Sequence, residues 1–432
     1  MSRDYTARRV PKAALLTLTA LALGGCVGMG TAGIGSAFRV DQTASTAPAS
    51  LAPAQTTGPS APAPRGSFSS FVESLWPMAQ ARGVSRATFD RAFAGVTPNE
   101  RVVELTQRQA EFTRPIWEYL DNAISAERLR LGEAARTRHA TTLASVERAY
   151  GVPREIVLGV WGMETNFGSF TGSMDVIRSL ATLAHVGHRG TFFRDELLAA
   201  LQILQEGKIA RGDLNGSWAG AMGHTQFMPT SYLRFAVDGD GDGRRDIWNS
   251  IPDALASTAN YLRQHGWQPG LPWGMEVVVP AGFDFSQRTM AFSGFARAGV
   301  RRADGAALPN AGEATLFLPA GARGPAFLVT ANFDVIKRYN ASDSYALAVG
   351  LLGERLAGRP GVRGTWPRGE RMLSADERRE LQERLSRLGL YDGTIDGKIG
   401  SQSREAVRRF QLSRGLTPDG FADVAVLEAL RR

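Results

Sequence analysis

Cysteine is almost absent: the 432-residue chain has one, Cys26, so no intramolecular disulfide braces the fold. Apolar runs long enough for a membrane are missing as well. The run Ala13 to Leu23 falls well short of the roughly 20 apolar residues that a spanning helix requires. Basic residues are scattered, and no recognised binding motif gathers them, which argues against a nucleic-acid partner. What is present is ordinary for a soluble globular protein, with 43% hydrophobic and 21% charged residues. That supplies a sizeable core, and the length suits two or three domains. A net charge of +8 fits an anionic partner, such as lipid headgroups or a polymer bearing carboxylates, and equally fits plain solubility.

The first residues read as an address. Arg3, Arg8, Arg9 and Lys12 precede the apolar run, and Leu23-Gly24-Gly25-Cys26 follows it. That tetrapeptide resembles a bacterial lipobox, which implies a lipoprotein signal peptide over 1–26 and acylation of Cys26. Two or more acyl chains give a stable membrane anchor. Val27 in place of an aspartate points to the outer membrane, and the rest of the chain would then lie in the periplasm. An ordinary secretory signal with an incidental cysteine is the other reading. Residues 27–66, rich in Ala, Pro, Ser and Thr, cannot bury enough surface to offset ordering entropy and read as a disordered tether.

From Phe68 the texture is helical. Phe68, Phe71, Val72 and Leu75 share one face, as do Val102, Leu105, Gln109 and Phe112, and later Leu197, Leu198, Leu201 and Leu204. Met275–Pro280 and Thr315–Leu318 read as short strands, and helix returns over Tyr345–Leu356. The expected fold is mainly α, with a small β-containing insert, over 67–358. A Pro/Gly/Arg-rich linker over 359–370 then leads to a small three-helix domain at 371–432. Ser401 or Ser403 would cap that domain's second main helix.

Glu164 ends an otherwise apolar helix that begins near Val152-Pro153, with Gly168 as its expected stop. A carboxyl in apolar surroundings keeps its proton to higher pH. Such a group can protonate a leaving glycosidic oxygen. For an isolated residue, a salt-bridged structural glutamate is the commoner explanation.

Four separated stretches change that weighting. They are Phe112–Leu120, Trp161–Gly168, Ser217–Gly223 running into Gln226–Pro229, and Arg338–Asn340 with Ser342–Leu347. Together they resemble the membrane-bound lytic murein transglycosylase B family over roughly 68–358. The resemblance implies a lysozyme-like fold and cleavage of the bond from N-acetylmuramic acid to N-acetylglucosamine in peptidoglycan, leaving a 1,6-anhydro end. Glu164 falls on the family's catalytic glutamate, acting as acid and then as base. The substrate's own N-acetyl group would stand in for the second carboxylate of most glycosidases. Asp175, Asp195 and Asp213 are the acids nearest in sequence, and none has a comparable motif. Ser217, Gln226, Asn340, Tyr345 and, as a looser match, Tyr261 fall on substrate-cleft positions. Where the family tends to carry basic residues, His185–Gly190 offers Arg189 alone as a firm cation.

Asp238, Asp240, Asp242, Arg244 (through its carbonyl) and Asp246 follow calcium-loop spacing, with Gly243 sixth. Asn249 replaces the usual twelfth-position Glu, and Asp253 is the candidate substitute. No cofactor is required for the chemistry. A structural calcium or sodium ion is expected, with a plain Asp-Gly turn as the alternative. Residues Leu381–Leu430 resemble the common peptidoglycan-binding domain of three helices, whose role would be to hold the enzyme on its polymer. A monomer is expected. The rivals are a muramidase that uses water and a non-catalytic wall-binding lipoprotein.

Overall fold

The computed structural model describes residues 66–108 and 115–432. The lipobox with Cys26, nearly all of the tether, and Gln109 to Arg114 lie outside the described residues. The architecture is mainly α with a small sheet, as the residue patterning leads one to expect.

The helix Arg154–Thr165 runs through the middle of the largest core. Ile156, Val157, Leu158, Val160 and Trp161 are all buried, because the segment is apolar on every face and finds packing on every face. Each fully buried aliphatic side chain contributes about 1.5–3 kcal/mol. Its main neighbour is Asp343–Leu356, buried from Tyr345 to Gly353. The two helices meet backbone to backbone. A Cβ on Gly159 would stand 2.4 Å from the Val349 carbonyl oxygen, and one on Gly353 2.5 Å from that of Glu155.

The insert is a five-stranded antiparallel sheet in the order Thr289–Ala291, Glu313–Phe317, Ala326–Val329, Gly274–Val278, Arg301–Arg302. The central strand is buried throughout. Ala326 and Leu328 join the insert's own core with Phe292 and Phe295, while Phe327 and Val329 join the main helical core. That strand therefore carries no polar alternation.

The segment expected as a linker is a strap. Among the described residues, no regular element falls between Leu356 and Ala375. Yet Glu276 accepts from the backbone N–H of Arg363 at 2.8 Å and of Gly364 at 2.6 Å. Trp366 lies 6.4 Å from Trp117 between ring centres, and Arg368 is bidentate to Asp121 at 2.6 and 2.9 Å.

Helices Ala375–Arg387, Ser401–Ser413 and Val424–Arg431 enclose a separate small core around Leu381, Leu385, Val407, Phe410 and Leu427. The expected serine cap is absent. Gly400 occupies the cap position, and the Ser403 hydroxyl is buried, accepting from Gln382 Nε2 at 3.2 Å. Two glutamines organise the turns. Gln382 accepts from Gly397 N–H at 2.7 Å and Gln411 from Gly420 N–H at 2.8 Å, each also bonding the preceding aspartate.

Candidate active site

The helix Arg154–Thr165 stops at Asn166, which takes a left-handed conformation (φ 50°), two residues before the expected Gly168. Phe167 follows at φ 59°, an unusual place for a bulky residue. Room for its ring explains the tolerance: a Cβ on Gly162 would lie 2.6 Å, and one on Gly132 2.7 Å, from the Phe167 ring. Strain of this kind persists where the surroundings over-determine it. Here they do so through Thr165, whose hydroxyl accepts from Gly168 N–H at 3.0 Å and lies 3.3 Å from the His224 carbonyl oxygen. Trp161 Nε1 donates to His224 Nδ1 at 3.2 Å. That bond leaves the proton of the neutral ring on Nε2, and burial favours the neutral form.

Glu164 is thus set at the mouth of a stiff turn. The residue keeps part of its surface accessible, while its carboxyl lies deep among protein groups. Tyr345 donates its hydroxyl to Glu164 Oε1 at 2.5 Å. Burial pushes the Glu164 carboxyl up to about 8, against the opposing pull of the Tyr345 bond. Tyr119 and Tyr339 face the same carboxylate, and burial with that negative charge raises both phenols. Among the described residues, no second carboxylate contributes to the shift at Glu164. Asp175 caps its own helix and pairs with Arg211 at 2.8 Å, and Asp195 pairs with Arg82 at 3.2 Å. Neither contributes to the shift at Glu164. A tyrosine-lined carboxyl that is protonated at neutral pH can donate a proton and take one back.

The loop Gly216–Phe227 is stitched to the segment that follows the acid. Gln226, buried and at φ 49°, donates through Nε2 to the Thr171 carbonyl at 2.9 Å and the Gly223 carbonyl at 3.0 Å. Among the described residues, its Oε1 has no hydrogen-bond donor. The Ser217 hydroxyl accepts from Ala221 N–H at 3.0 Å and so shapes the loop.

Two family models match this chain. A transglycosylase SLT domain covers residues 67–354, and a peptidoglycan binding domain covers 374–430. The chain belongs to the transglycosylase SLT family. SltB3 of Pseudomonas aeruginosa, solved with NAG-anhNAM-pentapeptide, is 47% identical; the match covers 85% of this transglycosylase and all of that chain, with a TM-score of 0.81. Slt35 of Escherichia coli, solved with calcium, is 30% identical with a TM-score of 0.57, covering 67% of this chain and 92% of that one. Membrane-bound lytic murein transglycosylase B of Escherichia coli is 34% identical over 246 residues, which are 55% of this chain and 66% of the relative. The transglycosylase thus spans just under two thirds of that relative. Its helical fold with a sheet insert is the fold of these lytic transglycosylases.

The structure brings Glu164 and Tyr345 into contact, while the other expected cleft residues bond to their own loops and neighbours. Asn340 Oδ1 accepts from Ser342 N–H at 3.1 Å, holding the entry to the Tyr345 helix. Tyr261 stands behind the cleft: it is 3% exposed, its hydroxyl donates to the Arg338 carbonyl at 2.6 Å, and its ring packs 4.6 Å from that of Tyr339. Reading the sequence did not single out Tyr119, Tyr339 or Arg128. Arg128 closes the helix Ile116–Ala123 by donating to the Asn122 and Ala123 carbonyls at 3.1 and 2.7 Å, and reaches Asn166 Oδ1 at 3.3 Å. The two tyrosines lie inside the stretches that carried the family resemblance, and that placement was the available signal.

In the acidic loop, carboxylate oxygens of Asp238, Asp240, Asp242 and Asp253 all lie within 4.8 Å of one another. Asp253 is fully buried on the helix Ile251–Gln264, accepting from Gly239 and Asp246 N–H at 2.8 and 2.6 Å. Asp246 does not join them as a side chain. Its oxygens lie outside that convergent group, and its carboxylate accepts from Trp248 and Asn249 N–H at 3.0 and 2.9 Å in the turn that follows. Arg244 enters through its N–H, which donates to Asp242 Oδ1 at 2.8 Å. The convergent set of four hard oxygen donors fits a cation such as calcium.

Proposed function

We propose that this transglycosylase cleaves the N-acetylmuramic acid to N-acetylglucosamine bond of peptidoglycan without water. The observation that carries the reading is a buried Glu164 carboxyl held by the Tyr345 hydroxyl, whose shift no second carboxylate among the described residues contributes to. Glu164 gives its proton to the leaving glycosidic oxygen as the bond to the anomeric carbon breaks. The 6-hydroxyl oxygen of the muramic sugar then bonds to that carbon, and its proton returns to Glu164. The product is a 1,6-anhydro end, and the enzyme leaves in the state in which it began. The SltB3 complex with an anhydro-muramyl ligand supports this outcome. Digestion of purified sacculi with mass spectrometry of the fragments tests it. Ends lighter by one water than hydrolysis products are expected. Reducing muramic ends would establish the muramidase instead, and no fragments at all would leave the non-catalytic binder.

The C-terminal domain holds the enzyme on its polymer, in keeping with the peptidoglycan binding match. Cys26 anchors the chain to the outer membrane by acylation, with the catalytic unit facing the wall. No helix among the described residues is long and apolar enough to cross a membrane; the lipid anchor rests on the Leu23-Gly24-Gly25-Cys26 motif. Labelled palmitate should enter the protein and fail to enter a Cys26→Ser variant. The four-carboxylate loop binds a structural calcium ion, as the calcium complex of Slt35 suggests by likeness. The chemistry itself needs no cofactor.

A further inference from the structure

The C-terminal domain touches the helix that serves the acid. Arg404, on the helix Ser401–Ser413, bonds through Nη2 to Asp343 Oδ2. Asp343 is the first residue of the helix Asp343–Leu356, and its side chain is only 17% exposed. Its other oxygen takes Lys337 Nζ at 2.9 Å. Two residues further along, Tyr345 donates to Glu164 at 2.5 Å. A continuous chain of contacts therefore runs from the wall-binding domain through Asp343 and Tyr345 to the acid.

The second docking contact differs in kind. Asp419 accepts from Ala322 N–H at 2.9 Å, and Asp423 pairs with an Arg323 that is 63% exposed, at 3.0 Å. Exposed pairs of that sort contribute little. In the Arg404–Asp343 pair the arginine is 33% exposed, so the pair is the better shielded of the two, and it acts at the first turn of a packed helix. Without Arg404, Asp343 would be held from one side, by Lys337. That lysine belongs to the segment that also carries Tyr339 and Asn340. Close-packed interiors transmit such shifts. A displacement on the order of 1 Å at a reacting group is enough to cost about 100-fold in rate.

We infer that Arg404 is a positioning residue for catalysis: the docked C-terminal domain clamps the first turn of the Asp343 helix and so holds Tyr345 on Glu164. The inference rests on the proposed role of Glu164 for its consequence, and on geometry for the clamp itself. The groups that face Glu164 are Tyr345, Tyr119 and Tyr339, with Arg128 beyond Tyr119. Those that face Asp343 are Lys337 and Arg404.

The test uses the full chain and two readouts. Carboxyl-carbon NMR titration follows Glu164 in wild type, Arg404→Ala, Arg404→Lys and Asp343→Asn. Turnover is measured on a short soluble muroglycan. In Arg404→Ala the Glu164 midpoint is expected to rise, because the Tyr345 bond that lowers it is loosened. Its kcat is expected to fall about tenfold with KM little changed, the size of an ordinary coupling between sites. Arg404→Lys should restore most of both, and Asp343→Asn should reproduce the loss. Pelleting with sacculi should persist in every variant, since the domain's own core is untouched. An Arg404→Ala protein whose Glu164 titration and kcat match wild type overturns the clamp. Should the wild-type chain cleave no wall glycan, the proposed function falls, and the NMR comparison still decides the clamp.

Discussion

A carboxyl that gains affinity for protons on folding lowers stability wherever the unfolded chain would ionise it. Glu164 is such a group. Its ordinary value of 4.5 rises to about 8, so between those limits the folded protein holds a proton that the unfolded chain has released. Stability therefore falls as pH rises through that window. Glu164→Gln keeps the shape and an acceptor for the Tyr345 hydroxyl but removes the ionisation. At pH 8 the variant should melt above wild type, and the gap should close toward pH 4.5, the lower edge of that window. Turnover should drop by at least about 100-fold, the usual worth of a positioned acid–base group. Calorimetry at the two pH values checks the first part; a variant no more stable than wild type at the higher pH would contradict the burial argument. Tyr345→Phe acts on the same group from the other side. It deletes the one bond that pulls the Glu164 value down, so the alkaline limb of kcat/KM should move to higher pH while kcat falls about tenfold, in line with a lost charge-assisted hydrogen bond. A pH–rate profile with an unmoved limb would mean the bond is made only in the resting enzyme.

Glycines at the level of the element set how the acid and its tyrosine meet. Glu164 and Tyr345 sit on two helices that approach backbone to backbone at Gly159 and Gly353. Adding a methyl at either point meets a carbonyl oxygen, not a movable side chain, so the helices must separate. Gly159→Ala and Gly353→Ala should each destabilise by about 1–3 kcal/mol in urea unfolding, and both should lower kcat by lengthening the Tyr345–Glu164 bond. Unchanged turnover in a stably folded Gly159→Ala would show that the interhelical distance is not what sets the site. Periodicity showed the two helices themselves, because each carries a long apolar run. It could not show that the contact runs through glycine, since a glycine inside a helical pattern signals only lowered propensity. The strand Ala326–Val329 escaped for a related reason. It is central and buried on both faces, so its four apolar residues lack the alternation by which half-buried strands are recognised. Tyr119 and Tyr339 look like core aromatics along the chain, and only the fold turns them toward a carboxyl.

Across the whole molecule, what was legible depended on how local the signal is. The calcium-loop spacing lies within nine residues, from Asp238 to Asp246, and the paired Asp-Gly turns of the C-terminal domain are equally local. The strap over 359–370 reads in sequence as a linker because the partners that pin it, Glu276, Trp117 and Asp121, lie far away along the chain. Asp246 differs for the opposite reason: the spacing nominates it, but its oxygens lie outside the convergent group of four and bond to the turn immediately after it. The four remaining carboxylates bear on global stability. Asp253 is buried on the same helix that carries Tyr261, so an ion there would tie the acidic loop to the scaffold behind the cleft. A cation that binds the folded chain and not the unfolded one stabilises by mass action, by about 2.7 kcal/mol at one hundred times its dissociation constant. Calcium should therefore raise the melting temperature in a concentration-dependent way, and a chelator should reverse the gain. Asp238→Asn should abolish the calcium response while retaining the backbone turn, because an amide oxygen can still accept from Gly241 or Gly243 N–H. A calcium response that survived in Asp238→Asn would place the ion elsewhere, and a wild-type melting curve indifferent to calcium would reduce the loop to a hydrogen-bonded turn.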